Sequence, residues 1–335
     1  MRHKNFYAAI FSATICTAGA QFAYAEPISI GALRFTSHAP TFIAFEKGYF
    51  RDEGLDASLK FFQAAQPVSV AIASGDIDFG ITALTGGFFN LADKGALKVI
   101  GGLYTEEKGK PGMAIMASNK AFDAGLTSPE KLPGHTWGMT QKGSSHEYMI
   151  ERISADYQLD LDTVKLVPLQ KYGALVAALK TGNVDASAIV PHIAKPLADA
   201  GEARIIGNIS DFEKPYQVST IFTSSANVSD KPALVDAFMR AYKRAIDDYS
   251  RALADGADPV ERNEVFQIIQ KYVYSDKTAD EARPLIAAGA VAFAKDARLD
   301  MASIADQLQW AIDKQLVPDR LTMEKLVAPQ FVGAE

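Results

Sequence analysis

Cysteine is nearly absent from this 335-residue chain: Cys16 is the only one. A single thiol cannot close an internal disulfide or build a cysteine-based zinc site, and this one falls in a segment expected to be removed. Histidine is also scarce, at five residues, and no H-E-x-x-H spacing or local cluster joins them, so no catalytic metal is expected. Basic excess is missing too. Lys and Arg total 34 against 40 Asp and Glu, a net charge of -6, which is the wrong sign for neutralising phosphates and excludes nucleic acid as a natural partner. Gly86-Gly87 and Gly101-Gly102 do not make G-x-G-x-x-G, and no G-x-x-x-x-G-K-[ST] occurs. Asp78-Phe79-Gly80 copies a kinase tripeptide without the Gly-rich loop or His-Arg-Asp segment that would give it meaning. No cofactor is expected. What is present is a soluble composition, 48% hydrophobic and 22% charged, in a chain long enough for two lobes of ordinary size.

The N-terminus has the three parts of a secretory signal. Arg2-His3-Lys4 is followed by an apolar run from Phe6 to Ala18, then by Ala23-Tyr24-Ala25 before Glu26-Pro27. The apolar run is short of the ~20 residues that span a bilayer. Residues 1–25 are therefore expected to be a signal peptide cut near Ala25. Losing Arg2 and Lys4 leaves 32 basic against 40 acidic residues, a mature charge of about -8. No later segment has an apolar run long enough to cross a membrane, so the expectation is an exported, soluble protein.

From Ile28 to about Gly207, short apolar runs alternate with helical stretches that end at glycine, a residue suited to the left-handed helix cap. Strands are predicted at 28–33, 57–62, 77–81, 97–104 and 113–118, with helices at 41–47 and 68–74. A second set gives strands at 136–139, 164–167 and 184–188, and helices at 144–157, 172–180 and 193–200. Such alternation argues for βαβ units and a largely parallel sheet. The last third, through 232–253, 260–272, 278–293 and 301–314, carries helical spacing with few strand signals. The fold class is α/β with a helical C-terminal part.

Ala71-Ile72-Ala73-Ser74-Gly75-Asp76-Ile77-Asp78 matches Ala178-Leu179-Lys180-Thr181-Gly182-Asn183-Val184-Asp185 without a gap. Both read as helix end, glycine reversal, Asx turn and strand start. Either a common α/β turn occurs twice, or the chain holds two lobes of the same design. Asp78 and Asp185 stand at the amino ends of strands and are assigned to structure.

Three blocks carry a family resemblance. Ile30-Gly31 through His38-Ala39-Pro40, with Ala44-Phe45-Glu46-Lys47-Gly48-Tyr49-Phe50 and Glu53-Gly54-Leu55-Asp56, forms the first; Ser74 to Gly80 and Thr181 to Ala186 form the others. Together they resemble the substrate-binding proteins of bacterial ABC importers, in the subgroup that handles nitrate, sulfonates, taurine and thiamine-precursor pyrimidines. The resemblance implies a two-lobed periplasmic-binding-protein fold (type II), with ligand in the cleft between lobes. Lobe one would comprise residues 26–117 plus 223–335 and lobe two residues 118–222, with chain crossings near Ala117–Lys120 and Ser219–Ser224. It further implies a periplasmic monomer that delivers its ligand to a membrane permease of an ABC importer and is not an enzyme. Thiamine-pyrimidine synthases resemble this chain in the opening blocks, but they carry a cysteine-rich iron motif that it lacks.

In open α/β sheets, ligands sit beyond the carboxyl ends of the strands. The loops so placed give the candidate set Ser37, His38, Gln63, Thr85, Gln141, Ser144, Ser145, His146, Tyr172 and His192. Gln141-Lys142-Gly143-Ser144-Ser145-His146 opens a helix, where free N–H groups and the positive end of the dipole attract anions. With Phe35, Phe62 and Tyr172 to shield an apolar body, the expected ligand is a small organic anion, a sulfonate or carboxylate. A neutral thiamine-precursor pyrimidine is the alternative.

Overall fold

The computed structural model describes residues 25–212 and 214–332, so the expected signal peptide lies, all but its last residue, outside the described residues. Among these the strands run, in chain order, β1 (Glu26–Ala32), β2 (Leu55–Phe61), β3 (Phe79–Thr82), β4 (Leu97–Gly102), β5 (Thr105–Glu106), β6 (Ala114–Ser118), β7 (Thr136–Met139), β8 (Lys165–Pro168), β9 (Ala186–Ile189), β10 (Ala203–Asn208), β11 (Tyr216–Gln217) and β12 (Thr220–Ser224). They form two five-stranded sheets, ordered β2-β1-β3-β12-β4 and β10-β6-β9-β7-β8, and a two-stranded ribbon of β11 and β5 between them in the chain. Within the sheets β1 is parallel to β2 and β3, and β7 is parallel to β8 and β9. The exceptions are β12, antiparallel to β3 and β4, and β6, antiparallel to β9 and β10. The sheets are mixed where a largely parallel one was expected, because the strands that enter each sheet from the ribbon side run against the rest.

That arrangement also moves the crossings. The strand Ala114–Ser118 is fully buried in the second sheet and Thr220–Ser224 pairs in the first, so the chain passes between sheets through 103–113 and 209–219. Residues 114–118 and 220–224 are ladder positions, where a bare linker would leave backbone groups unpaired.

One apolar core joins β1, β3 and the helix Ala39–Glu46 to the C-terminal helices Pro232–Leu253 and Pro259–Val273, with Phe79 stacked on Phe238 at 3.9 Å between ring centres. A second lies under the other face of that sheet, and a third surrounds the second sheet about Trp137. Gly31 and Gly80, paired across β1 and β3, are needed there: a Cβ on Gly80 would come within 2.7 Å of Val68 and one on Gly31 within 2.9 Å of the same side chain. The helix Ala65–Ala73 lies close to the sheet as a result. Gly138 on β7 stands in the same relation to Leu175 on the helix Tyr172–Lys180, at 2.5 Å.

The internal similarity is structural. Asp78 Oδ2 accepts the N–H (2.7 Å) and hydroxyl (3.0 Å) of Ser29, and Asp185 Oδ2 accepts the N–H (2.8 Å) and hydroxyl (2.9 Å) of Thr136. Donor and acceptor are 49 residues apart in both. Each carboxylate clamps the start of a strand to its parallel neighbour, in a βαβ unit that occurs twice.

Candidate functional site

The carboxyl ends of the two sheets face one another across a cavity of about 80 Å³. The segments after β1 and β2 and the end of β3 supply Leu33, Phe35, Ser37, His38, Ala64 and Thr82; the loops and helix starts after β7, β8 and β9 supply Thr140, Ser145, His146, Tyr172 and Val190. The two crossings add Tyr104, Met113, Val218 and Ser219. Of the ten candidate residues, Ser37, His38, Ser145, His146 and Tyr172 meet at this cavity.

The lining carries no Asp, Glu, Lys or Arg, and its histidines are uncharged. Burial pushes His38 down to about 3 and His146 down to about 4. His192, one layer behind Phe35 at 5.3 Å between rings, is held at about 3 by burial and by the neighbouring His38.

Three polar groups in the lining are set to donate. The Leu33 N–H bonds Nδ1 of His38 (3.4 Å), which leaves the imidazole proton on Nε2. The Val190 N–H bonds the Tyr172 phenol oxygen (2.8 Å), and the Tyr104 N–H bonds the Ser219 hydroxyl oxygen (3.1 Å). In each case a backbone donor takes an acceptor position, the only one in His38 and one of two in the hydroxyls, and the proton is left for a guest. Two others are committed within the protein, the Thr82 hydroxyl donating to the Ala83 carbonyl at 3.1 Å and the Tyr104 hydroxyl to Glu106. His146 is 4% exposed and both its ring nitrogens lack a partner, an expensive condition for a buried imidazole.

The helix Ser145–Tyr157 aims its N-terminus at the cavity. Ser144 occupies the cap position, but its side chain makes no capping bond, so the first-turn N–H groups of Ser145 and His146 have no intrahelical acceptor. The buried Glu147 takes the Gly143 N–H at 2.5 Å, and the exposed Lys142 is not part of the lining. The anion-attracting end expected from sequence is thus reduced to two amides and lacks its lysine.

The other candidates stand apart. Thr85 caps the helix Gly86–Asp93 through the Phe88 N–H (3.1 Å) and donates to Gln66 Oε1 (2.5 Å). Gln141 reaches the same Gln66 oxygen across the cleft at 3.4 Å. Gln63 is exposed, and its carbonyl accepts the Tyr172 N–H at 3.3 Å. With the Gly86 N–H bonded to the Gly143 carbonyl at 2.8 Å, these contacts tie the cleft walls together. Sequence reasoning missed Tyr104, Met113, Val218 and Ser219, which lie on the crossings, whereas Thr140 directly precedes a candidate loop.

Similar folds recur among solved structures. The alkanesulfonate-binding protein SsuA from Xanthomonas axonopodis pv. citri, bound to MOPS, superposes with a TM-score of 0.70 at 18% identity, covering 90% of this chain and 98% of that one. The periplasmic nitrate-binding protein NrtA from Synechocystis PCC 6803 gives 0.71 at 13% identity, covering 91% and 86%. The desulfurization enzyme DSZB gives 0.60 at 16% identity, covering 92% and 97%. At such identities the likeness establishes the two-lobed periplasmic-binding-protein fold. No curated protein matches the chain. A model of the NMT1/THI5-like family matches residues 35–252, well over half the sequence, and the chain belongs to that family.

Proposed function

We infer that this protein is the extracytoplasmic solute-binding component of an ABC importer, exported after cleavage near Ala25, which captures a small organic anion between two lobes and presents it to a membrane permease. The observation that carries the reading is the donor-rich, uncharged lining. His38, the Tyr172 phenol and the Ser219 hydroxyl each accept a backbone N–H and keep a proton free, at Nε2 and on the two hydroxyls, for a guest rich in lone pairs. A carboxylate or sulfonate is such a guest, and neutral donors with helix N–H groups can hold it without a counter-charge. The cavity, at about 80 Å³, is roughly half the ~150 Å³ that houses benzene in an engineered core. It suits an anionic head group or a very small anion. The sulfonate- and nitrate-binding proteins that share the fold are consistent with this class.

A neutral thiamine-precursor pyrimidine is the second reading, favoured by the absence of Lys and Arg from the lining. Its ring amino group would need acceptors, which the cavity supplies poorly. The enzyme reading rests on the fold shared with DSZB and requires turnover. Native mass spectrometry of freshly purified protein, followed by titration with the molecule recovered, separates the three. A co-purified anion that binds and is returned unchanged is the expected result. A neutral or cationic molecule, or formation of product, refutes it.

A further inference from the structure

The inner cavity has no formal charge, yet a basin immediately outside it has two. This outer basin, about 570 Å³ and open to solvent, shares Leu33, Phe35 and Tyr172 with the inner cavity, so Phe35 and Tyr172 form the partition between them. Its far wall carries Phe61, Phe62, Arg34 and Lys171, and no Asp or Glu. Arg34 is exposed, places its guanidinium carbon 3.9 Å from the Phe61 ring centre and donates one hydrogen bond to the Tyr272 carbonyl at 3.0 Å. That bond leaves most of the guanidinium fork free. Lys171 is exposed at the start of the helix Tyr172–Lys180, beside first-turn N–H groups that add to its field.

We propose that this basin is an encounter subsite for organic anions: Arg34 and Lys171 draw in and briefly hold the negatively charged group, with its apolar part against Phe61 and Phe62, before Phe35 yields and the anion enters the uncharged inner cavity. The proposal rests on the anion reading of that cavity, and it divides the work between two chambers. Charge outside accelerates arrival, because a cleft of one sign concentrates counter-ions at its mouth. Neutral donors inside select by geometry, where a buried cation would carry a large desolvation cost.

Side-chain NMR with methanesulfonate as probe tests it, an organic anion small enough for the inner cavity of about 80 Å³. The Nε–H signal of Arg34 reports the basin, and the indole N–H of Trp137, bonded to the His146 carbonyl at 2.9 Å, reports the inner cavity. Saturable movement of the Arg34 signal is expected, weakened in Lys171→Gln and suppressed by 0.5 M salt, where the screening length falls to a few ångströms. In stopped flow on tryptophan fluorescence, Arg34→Gln with Lys171→Gln should slow association roughly 3- to 30-fold at low salt and leave dissociation unchanged. Arg34→Lys keeps the charge without the stack over Phe61, and should stay near the unmodified rate. A motionless Arg34 signal, an unchanged association rate, or faster dissociation in the double variant overturns the proposal. A silent Trp137 signal with a responding Arg34 signal overturns the anion reading of the inner cavity and leaves the basin standing.

Discussion

Replacing Asp78 by alanine should weaken the fold and spare ligand binding. The carboxylate accepts the N–H and hydroxyl of Ser29 at 2.7 and 3.0 Å, and both residues are half-buried. Hydrogen bonds to a charged group contribute about 1.5–3 kcal/mol each, and the Ser29 amide would lose its partner as well. Sharing one carboxylate oxygen and partial solvation reduce the sum, so the expected loss is about 2–4 kcal/mol. Affinity should be untouched because Asp78 precedes the amino end of β3 while Thr82 at its other end borders the cavity. Four residues of strand separate them by roughly 13 Å. Asp185→Ala should behave alike, since its bonds to Thr136 have the same form. Urea unfolding gives the stability and calorimetric titration the affinity, each with Asp78→Asn as a control that keeps an acceptor oxygen. An Asp78→Ala protein with an unchanged unfolding midpoint but no binding would refute the assignment.

Acid should destabilise the chain through its buried histidines. His38, His146 and His192 are held neutral at values of about 3, 4 and 3, below the ordinary 6.5. The unfolded state therefore binds more protons below pH 6.5. Stability present above that pH is lost toward pH 4 at about 1.4 kcal/mol per pH unit for each histidine; a urea midpoint equal at pH 7 and pH 5 would contradict it. Glu106 has the opposite sign, since burial first of all raises it from 4.5 to about 7. Its contribution is complete below pH 4.5 and fades as pH rises through 7. Glu106→Gln keeps an acceptor for the Tyr104 hydroxyl and the Met113 N–H, so it should raise the midpoint at pH 8.5 and change it little at pH 5. Small-angle scattering should show compaction when ligand saturates the ligand-free protein, by hinge motion of the two lobes; identical profiles would speak against a closing cleft.

Much of the architecture was legible because local signals agreed with the tertiary packing. The helices Tyr172–Lys180 and Pro232–Leu253 fall where the periodicity puts them, and Gly48, Gly75, Gly182 and Gly201 take the left-handed conformation after helices. The helix Gly86–Asp93 was not legible. It opens on two glycines, poor helix formers, and forms because Thr85 caps it and Phe88 and Phe89 are buried. The strand Ala203–Asn208 was also missed, being half-exposed with a register shift near Ile205. The helix expected over 278–293 ends at Ala288; the Gly289 carbonyl accepts the Thr36 hydroxyl, and any side chain at Gly289 would come within 2.4 Å of His192.

For the site, the rule that ligands gather at strand carboxyl ends was enough to place half the candidates around one cavity. It could not find Tyr104, Met113, Val218 or Ser219, whose proximity depends on how the crossings fold between the sheets. Nor could it tell a helix cap from a cavity wall at Thr85, where one hydroxyl suits either role.

The measurement closest to the central claim is calorimetric titration of the unmodified and Tyr172→Phe proteins with the small anion recovered from native protein. Phenylalanine preserves the ring against Phe35, 4.9 Å between centres, and removes the phenol oxygen, which offers its proton to the guest and accepts the Val190 N–H. Losing a hydrogen bond to a charged group costs about 1.5–3 kcal/mol, so affinity should fall roughly 10- to 150-fold. Unchanged affinity in Tyr172→Phe would contradict a donor-lined anion site in this cavity.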